Sequence, residues 1–191
     1  MLDIRSAIEG SKMINTEDLV SRNAAFAARG AHEGLHILGS GQLVVIGCVD
    51  SRVDPSHVVG LDLGEVTAIR NVGGRVTPTV LRTLTMLTKV SAAHRGDRPA
   101  GTHIVVMHHT ECGIKDIAAF PEILASDFDI PPEALDAKAV MDPFASVRVD
   151  VGVLKEALKA RMPAGLVTGL VYDVETGLVE VVVPTARVAE K

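Results

Sequence analysis

Residues 44–52, Val-Val-Ile-Gly-Cys-Val-Asp-Ser-Arg, constrain this chain more than any other stretch. A β-branched apolar run of this kind reads as a strand buried on both faces. It ends in a thiol, a carboxylate and a guanidinium: Cys48, Asp50 and Arg52. These alternate, so extended backbone puts all three on one face. A soft ligand, a base and a fixed cation make a poor core and a plausible site. Taken alone, the stretch also fits Cys48 as a buried small hydrophobe and Asp50–Arg52 as a surface ion pair.

A second run weighs against that plainer reading. His103-Ile-Val-Val-Met-His-His109 is another apolar strand, and it leads into Thr110-Glu111-Cys112-Gly113. His109 and Cys112 form an H-x-x-C pair at a strand-to-loop junction. The chain has 2 cysteines, and each stands at the end of an apolar strand. If the two strands are parallel neighbours, their ends meet. Cys48, His109 and Cys112 then offer two thiolates and an imidazole, a set that suits zinc. Three protein ligands leave one tetrahedral position open, as catalytic sites do.

Composition narrows the class. The 191 residues suffice for one domain with a full core. They are 47% apolar, yet no run approaches the ~20 residues that cross a bilayer. Asp3, Arg5 and Glu9 interrupt any export-signal pattern, so a cytoplasmic protein with reduced thiols is expected. A net charge of −5, no Trp and 1 Tyr argue against nucleic acid as a partner.

Along the chain, 1–15 reads as a short amphipathic piece over Leu2, Ile4 and Ile8. Asn15 caps a helix to about Arg29, stopped by Gly30. This Ala-rich arm precedes the first strand and has little to bury against except a second protomer. Strands are expected at 42–49, 65–69, 103–109, 166–174 and 178–183, the last two joined by a turn at Glu175-Thr176-Gly177. Asp54-Pro55, Thr77-Pro78 and Asp142-Pro143 each read as cap plus first helical residue. They open a short helix to Gly60 and longer ones to about His94 and Arg161. Residues 95–101 form a polar loop, and 120–125 and 133–140 are read as short helices. The class is α/β: a mainly parallel central sheet flanked by helices, with an antiparallel strand addition at the C-terminus and a helical arm at the N-terminus. One domain spans 1–191, with 1–40 as the arm. Both ligand clusters fall at carboxyl ends of strands, where open α/β sheets place their sites.

Cys48-Val-Asp-Ser-Arg52, Arg70-Asn-Val-Gly73 and His109-Thr-Glu-Cys-Gly113, in this order and spacing, resemble the β-class carbonic anhydrases. The motifs span roughly 42–115, and Leu170-Val-Tyr-Asp-Val174 before Thr176-Gly177 is similar to the closing strands of that family. The short bacterial members are the most alike. The resemblance implies zinc on Cys48, His109 and Cys112, with the fourth position taken by Asp50 or by water. It implies that Arg52 pairs with Asp50 and holds it off the metal in an open form. It further implies carbon dioxide and bicarbonate as substrates, Gly73 and Gly113 lining the substrate site, and a homodimer or dimer of dimers whose N-terminal helices reach across. Zinc lowers the pKa of water to about 7. Two thiolates donate more charge than three histidines, so a higher working pH is expected here.

The match has departures. Val72 and Gly74 stand where many relatives have alanine and asparagine, and His108 where many have glycine. The tryptophan of a regulatory bicarbonate pocket found in some bacterial members is absent. His108, next to His109 on a strand, is expected to face away and pack. His57 is placed near the site mouth, and His32, His36, His94 and His103 at the surface or in loops. Arg70 and Asn71 are read as braces for their loop or the dimer interface. The stripe Val80, Leu81, Leu84, Leu87 and Val90 is read as core. Two other functions fit the same ligands: hydrolysis of carbon disulfide or carbonyl sulfide, and a non-catalytic zinc module with Asp50 as permanent fourth ligand.

Overall fold

The computed structural model describes residues 13–94, 96 and 101–189. The amphipathic piece expected at 1–15 falls almost wholly outside them, as does most of the loop at 95–101. The chain divides into two compact units, 1–35 and 36–191.

The first unit holds α1, Thr16–Ala28. Asn15 accepts a hydrogen bond from the Asp18 N–H, and Asp18 accepts one from the Asn15 N–H, a reciprocal capping box. No residue of α1 is buried.

The second unit is a sheet of five strands: β1 (Leu43–Cys48), β2 (Val66–Asn71), β3 (His103–His109), β4 (Leu166–Tyr172) and β5 (Val179–Arg187), in the order β2-β1-β3-β4-β5. All pairs are parallel except β4 with β5. The central strands β1 and β3 are neighbours, as the ligand argument requires. Their burial explains their composition. Val44, Ile46, Ile104 and Val106 join one core, while Val45, Val105 and Met107 form a cluster on the opposite side.

Helices α2 (Pro55–Val58), α3 (Pro78–His94), α4 (Ile114–Ile117), α5 (Pro121–Phe128) and α6 (Pro143–Leu158) complete the unit, with 3-10 turns at Val72–Gly74 and Pro132–Lys138. Asp54 and Asp142 cap α2 and α6 through their carboxylates, as their Asp-Pro pairs foretell. Val147, Val151, Leu154 and Leu158 of α6 are all buried.

Several boundaries differ from the sequence reading. β2 continues through Arg70 and Asn71, whose polar side chains mimic a loop but carry hydrogen bonds described below. β5 runs on to Arg187, because Pro184 is tolerated on an edge strand. Residues 133–140 are largely a 3-10 segment, and α4 was not expected. On α3, Val80 and Leu84 are core, but Leu87 and Val90 line an open apolar cleft of ≈ 350 Å³ at the amino ends of the strands. The stripe is therefore core in its first half only.

Candidate metal centre

Cys48 ends β1, His109 ends β3, and Cys112 lies in the loop that β3 feeds. All three are buried, and their ligand atoms lie within 4.8 Å of one another. The two sulfurs are 3.7 Å apart. Two zinc–sulfur bonds of ~2.3 Å at a tetrahedral angle require about 3.8 Å. His109 Nδ1 donates to the Thr110 carbonyl at 2.8 Å, so Nε2 carries the free lone pair. That Nε2 is buried and has no protein partner. A buried nitrogen left unbonded costs free energy unless something else fills its valence. A metal ion fits the donor set, its spacing and the orphan nitrogen.

The thiols are primed for it. Cys48 is pulled well below the ordinary thiol range, first by its hydrogen bond with Cys112, against burial, and further by His109 and by the N–H groups of Asp50 and Gly73. The same pairing, together with burial, pushes Cys112 up. The Gly73 N–H reaches the Cys48 sulfur at 3.2 Å and the Asp50 N–H at 3.5 Å. This approach depends on two glycines. Gly73 has φ +79°, and a Cβ there would meet Ile114 Cδ1 at 2.5 Å. Gly74 has φ +65°, and its Cβ would lie 2.9 Å from the backbone nitrogen of Cys48. Gly113 is different: a Cβ would meet only Asp116, at 3.9 Å, so the space beside it is open to a small molecule.

Asp50 does not join the ligand cluster. Its carboxylate is held bidentately by Arg52, with Nη2–Oδ2 at 2.8 Å and Nε–Oδ1 at 3.1 Å, and accepts the Arg52 N–H at 2.9 Å. These bonds keep Asp50 ionised, with its pKa lowered to about 2. Arg70 fixes the loop from behind. It donates to the carbonyls of Cys48 and Asp50, both at 2.8 Å, and pairs with Asp54 at 2.7 Å. Asn71 exchanges hydrogen bonds with Arg75 across the Gly73-Gly74 turn. Both residues thus brace the loop.

The other histidines sort as follows. His108 is buried, 2.7 Å from the Ser146 hydroxyl and 3.3 Å from the Asp150 carboxylate, a packed residue as expected. His57 is exposed and lies 3.3 Å from Asp54. His103 is corrected: it is half-buried in β3 and bonds Thr168 Oγ1 at 2.7 Å, because both faces of that strand are covered.

The sequence reading missed Arg75 and Asp150. They form a fully buried ion pair, with Arg75 Nε–Asp150 Oδ2 at 2.7 Å and each side chain 1% exposed. The signal was present in the helix period: Asp150 sits three residues after Val147 and four before Leu154, on the buried stripe of α6.

The family model described as carbonic anhydrase matches residues 43–126. Beta-carbonic anhydrase 1 of Mycobacterium tuberculosis is 27% identical over 175 residues, 90% of this chain and 100% of that protein. The crystal structure of carbonic anhydrase from Streptococcus mutans superposes with TM-score 0.63 at 28% identity, covering 90% of this chain and 99% of that one. Carbonic anhydrase from Glaciozyma antarctica gives 0.60 at 26%, covering 85% and 94%.

Proposed function

We propose that this chain is a β-class carbonic anhydrase, and that Cys48, His109 and Cys112 hold the zinc with which it reversibly hydrates carbon dioxide to bicarbonate and a proton. The observation that carries the assignment of ligands is the orphan His109 Nε2 facing two sulfurs 3.7 Å apart. When bound, zinc supplies the Lewis acidity that makes a water molecule nucleophilic near neutral pH.

The chain's own residues do the rest. Asp50, kept ionised by Arg52, accepts a hydrogen bond from the reacting water and turns its lone pair toward substrate. Arg52 holds Asp50 away from the open position by matching both carboxylate oxygens at once. Gly73 serves the substrate site by lacking a side chain, since its N–H is directed to Cys48. Gly113 lies beside open space, and its N–H faces a substrate oxygen. Zinc content and carbon dioxide hydration of the purified protein test the proposal; a zinc-loaded protein without hydration would reject it.

The same reading makes 1–191 one domain with 1–40 as an arm, and the protein a cytoplasmic homodimer or dimer of dimers. Exposed Leu19 and Val20 on α1, which buries none of its residues, support a partner for that arm. Light scattering of the full chain and of a variant lacking 1–35 tests it: the shortened chain is expected to be monomeric. No helix among the described residues is long and apolar enough to cross a membrane. Cell fractionation tests the compartment.

A further inference from the structure

Arg52 holds Asp50, but the Asp50–Arg52 pair joins two residues of one loop. Arg70 fixes the backbone there, through the Asp50 carbonyl. The direction of the side-chain pair needs another anchor, because the Arg52 side chain is 49% exposed. Glu111, from the loop that carries Cys112, meets it. Arg52 Nη2 donates to the Glu111 carbonyl at 3.2 Å, and Nη1 lies 3.5 Å from the Glu111 carboxylate. Glu111 makes this contact with φ +51°, a left-handed backbone that costs a residue with a Cβ free energy. Strain held beside a site is a reason to ask what it serves.

We infer that Glu111 is a positioning residue: acting through Arg52, it keeps the Asp50 carboxylate off the open ligand position. The inference rests on the proposed zinc site. A carboxylate beside two thiolates and an imidazole is a natural oxygen donor for zinc. The Asp50 N–H already reaches the Cys48 sulfur, yet the carboxylate stands outside the ligand cluster. Arg52 draws it out, and Glu111 ties Arg52 to the far side of the site. Asp50 and solvent compete for one position. Weakening the tie favours Asp50, and more hydroxide is needed to displace it. Exposed pairs of this type shift an equilibrium by roughly two- to fivefold. The pH midpoint of activity therefore rises by about half a unit, the logarithm of that factor.

The test compares wild type, E111Q and E111G as zinc and as cobalt(II) holoenzymes. E111G is expected to keep one metal per chain and to melt no lower than wild type, since glycine adopts this backbone freely. Its pH midpoint is expected to rise by about half a unit. Its cobalt absorption at pH 7 is expected to match that of wild type at lower pH. Both variants keep the carbonyl contact; E111Q, which also keeps a side-chain oxygen able to accept from Arg52, shifts both readouts the same way by less, and decides alone if E111G melts early. Unchanged midpoints and spectra in both variants overturn the inference. So does loss of metal from both, which would make Glu111 a brace for Cys112. A wild type that hydrates no carbon dioxide rejects the proposed function instead, and the cobalt spectra still report on Glu111.

Discussion

The sulfurs of Cys48 and Cys112 lie 3.7 Å apart although they come from the ends of different segments. Parallel pairing of β1 with β3 sets that distance, and a hydrogen bond between the thiols alone does not account for a buried His109 nitrogen aimed at the same point.

Replacing either sulfur removes a ligand that nothing nearby duplicates. C48S and C112S are expected to retain less than a tenth of the zinc after dialysis and to lose hydration activity. Metal analysis beside circular dichroism checks that the fold survives the change.

Arg52 is a test of mechanism and not of metal binding. A lysine keeps the charge but cannot match two carboxylate oxygens. R52K is expected to bind one zinc per chain and to hydrate carbon dioxide at least about tenfold more slowly, the loss of more than ~1.4 kcal/mol in the transition state. An inert zinc module would show no activity to lose.

Gly74 cannot accept a side chain. Its φ of +65° and the 2.9 Å approach to the backbone of Cys48 both oppose a Cβ. G74A is expected to cost about 2–4 kcal/mol in chemical denaturation, with the same slope as wild type.

Asp150 links stability to acid. Burial raises its pKa, but the adjacent His108 ring and the hydrogen bonds from Arg75 outweigh that and bring it to about 2. A depressed carboxylate contributes stability above its unfolded value, near 3.8, and loses it as pH falls toward 2. The loss across that window is about 2 kcal/mol. D150N leaves Arg75 buried and unpaired, which costs about 3–5 kcal/mol, and flattens the acid limb of a melting-temperature profile. An unchanged profile would show that the pair does not carry this linkage.

Much of this was legible in the residues. Strand ends carrying Cys48 and His109 stand out because ligands interrupt an apolar run, and three Asp-Pro or Thr-Pro pairs mark helix starts within a residue of those observed. What the sequence hid was long-range. Arg75 meets Asp150 across 75 residues, and no local pattern announces a partner. Arg70 and Asn71 looked like loop residues because side chains that bond backbone resemble those that face water. Leu87 and Val90 fit the helical stripe but lie past the edge of what the sheet covers.

The central claim is tested most directly by measuring zinc content and carbon dioxide hydration on one preparation from pH 6.5 to 9. About one zinc per chain is expected, with a rate that climbs across the range because two thiolates make the reacting water less acidic. A fully zinc-loaded protein that is inactive throughout, or a rate that is flat from pH 9 down to 6.5, would contradict it.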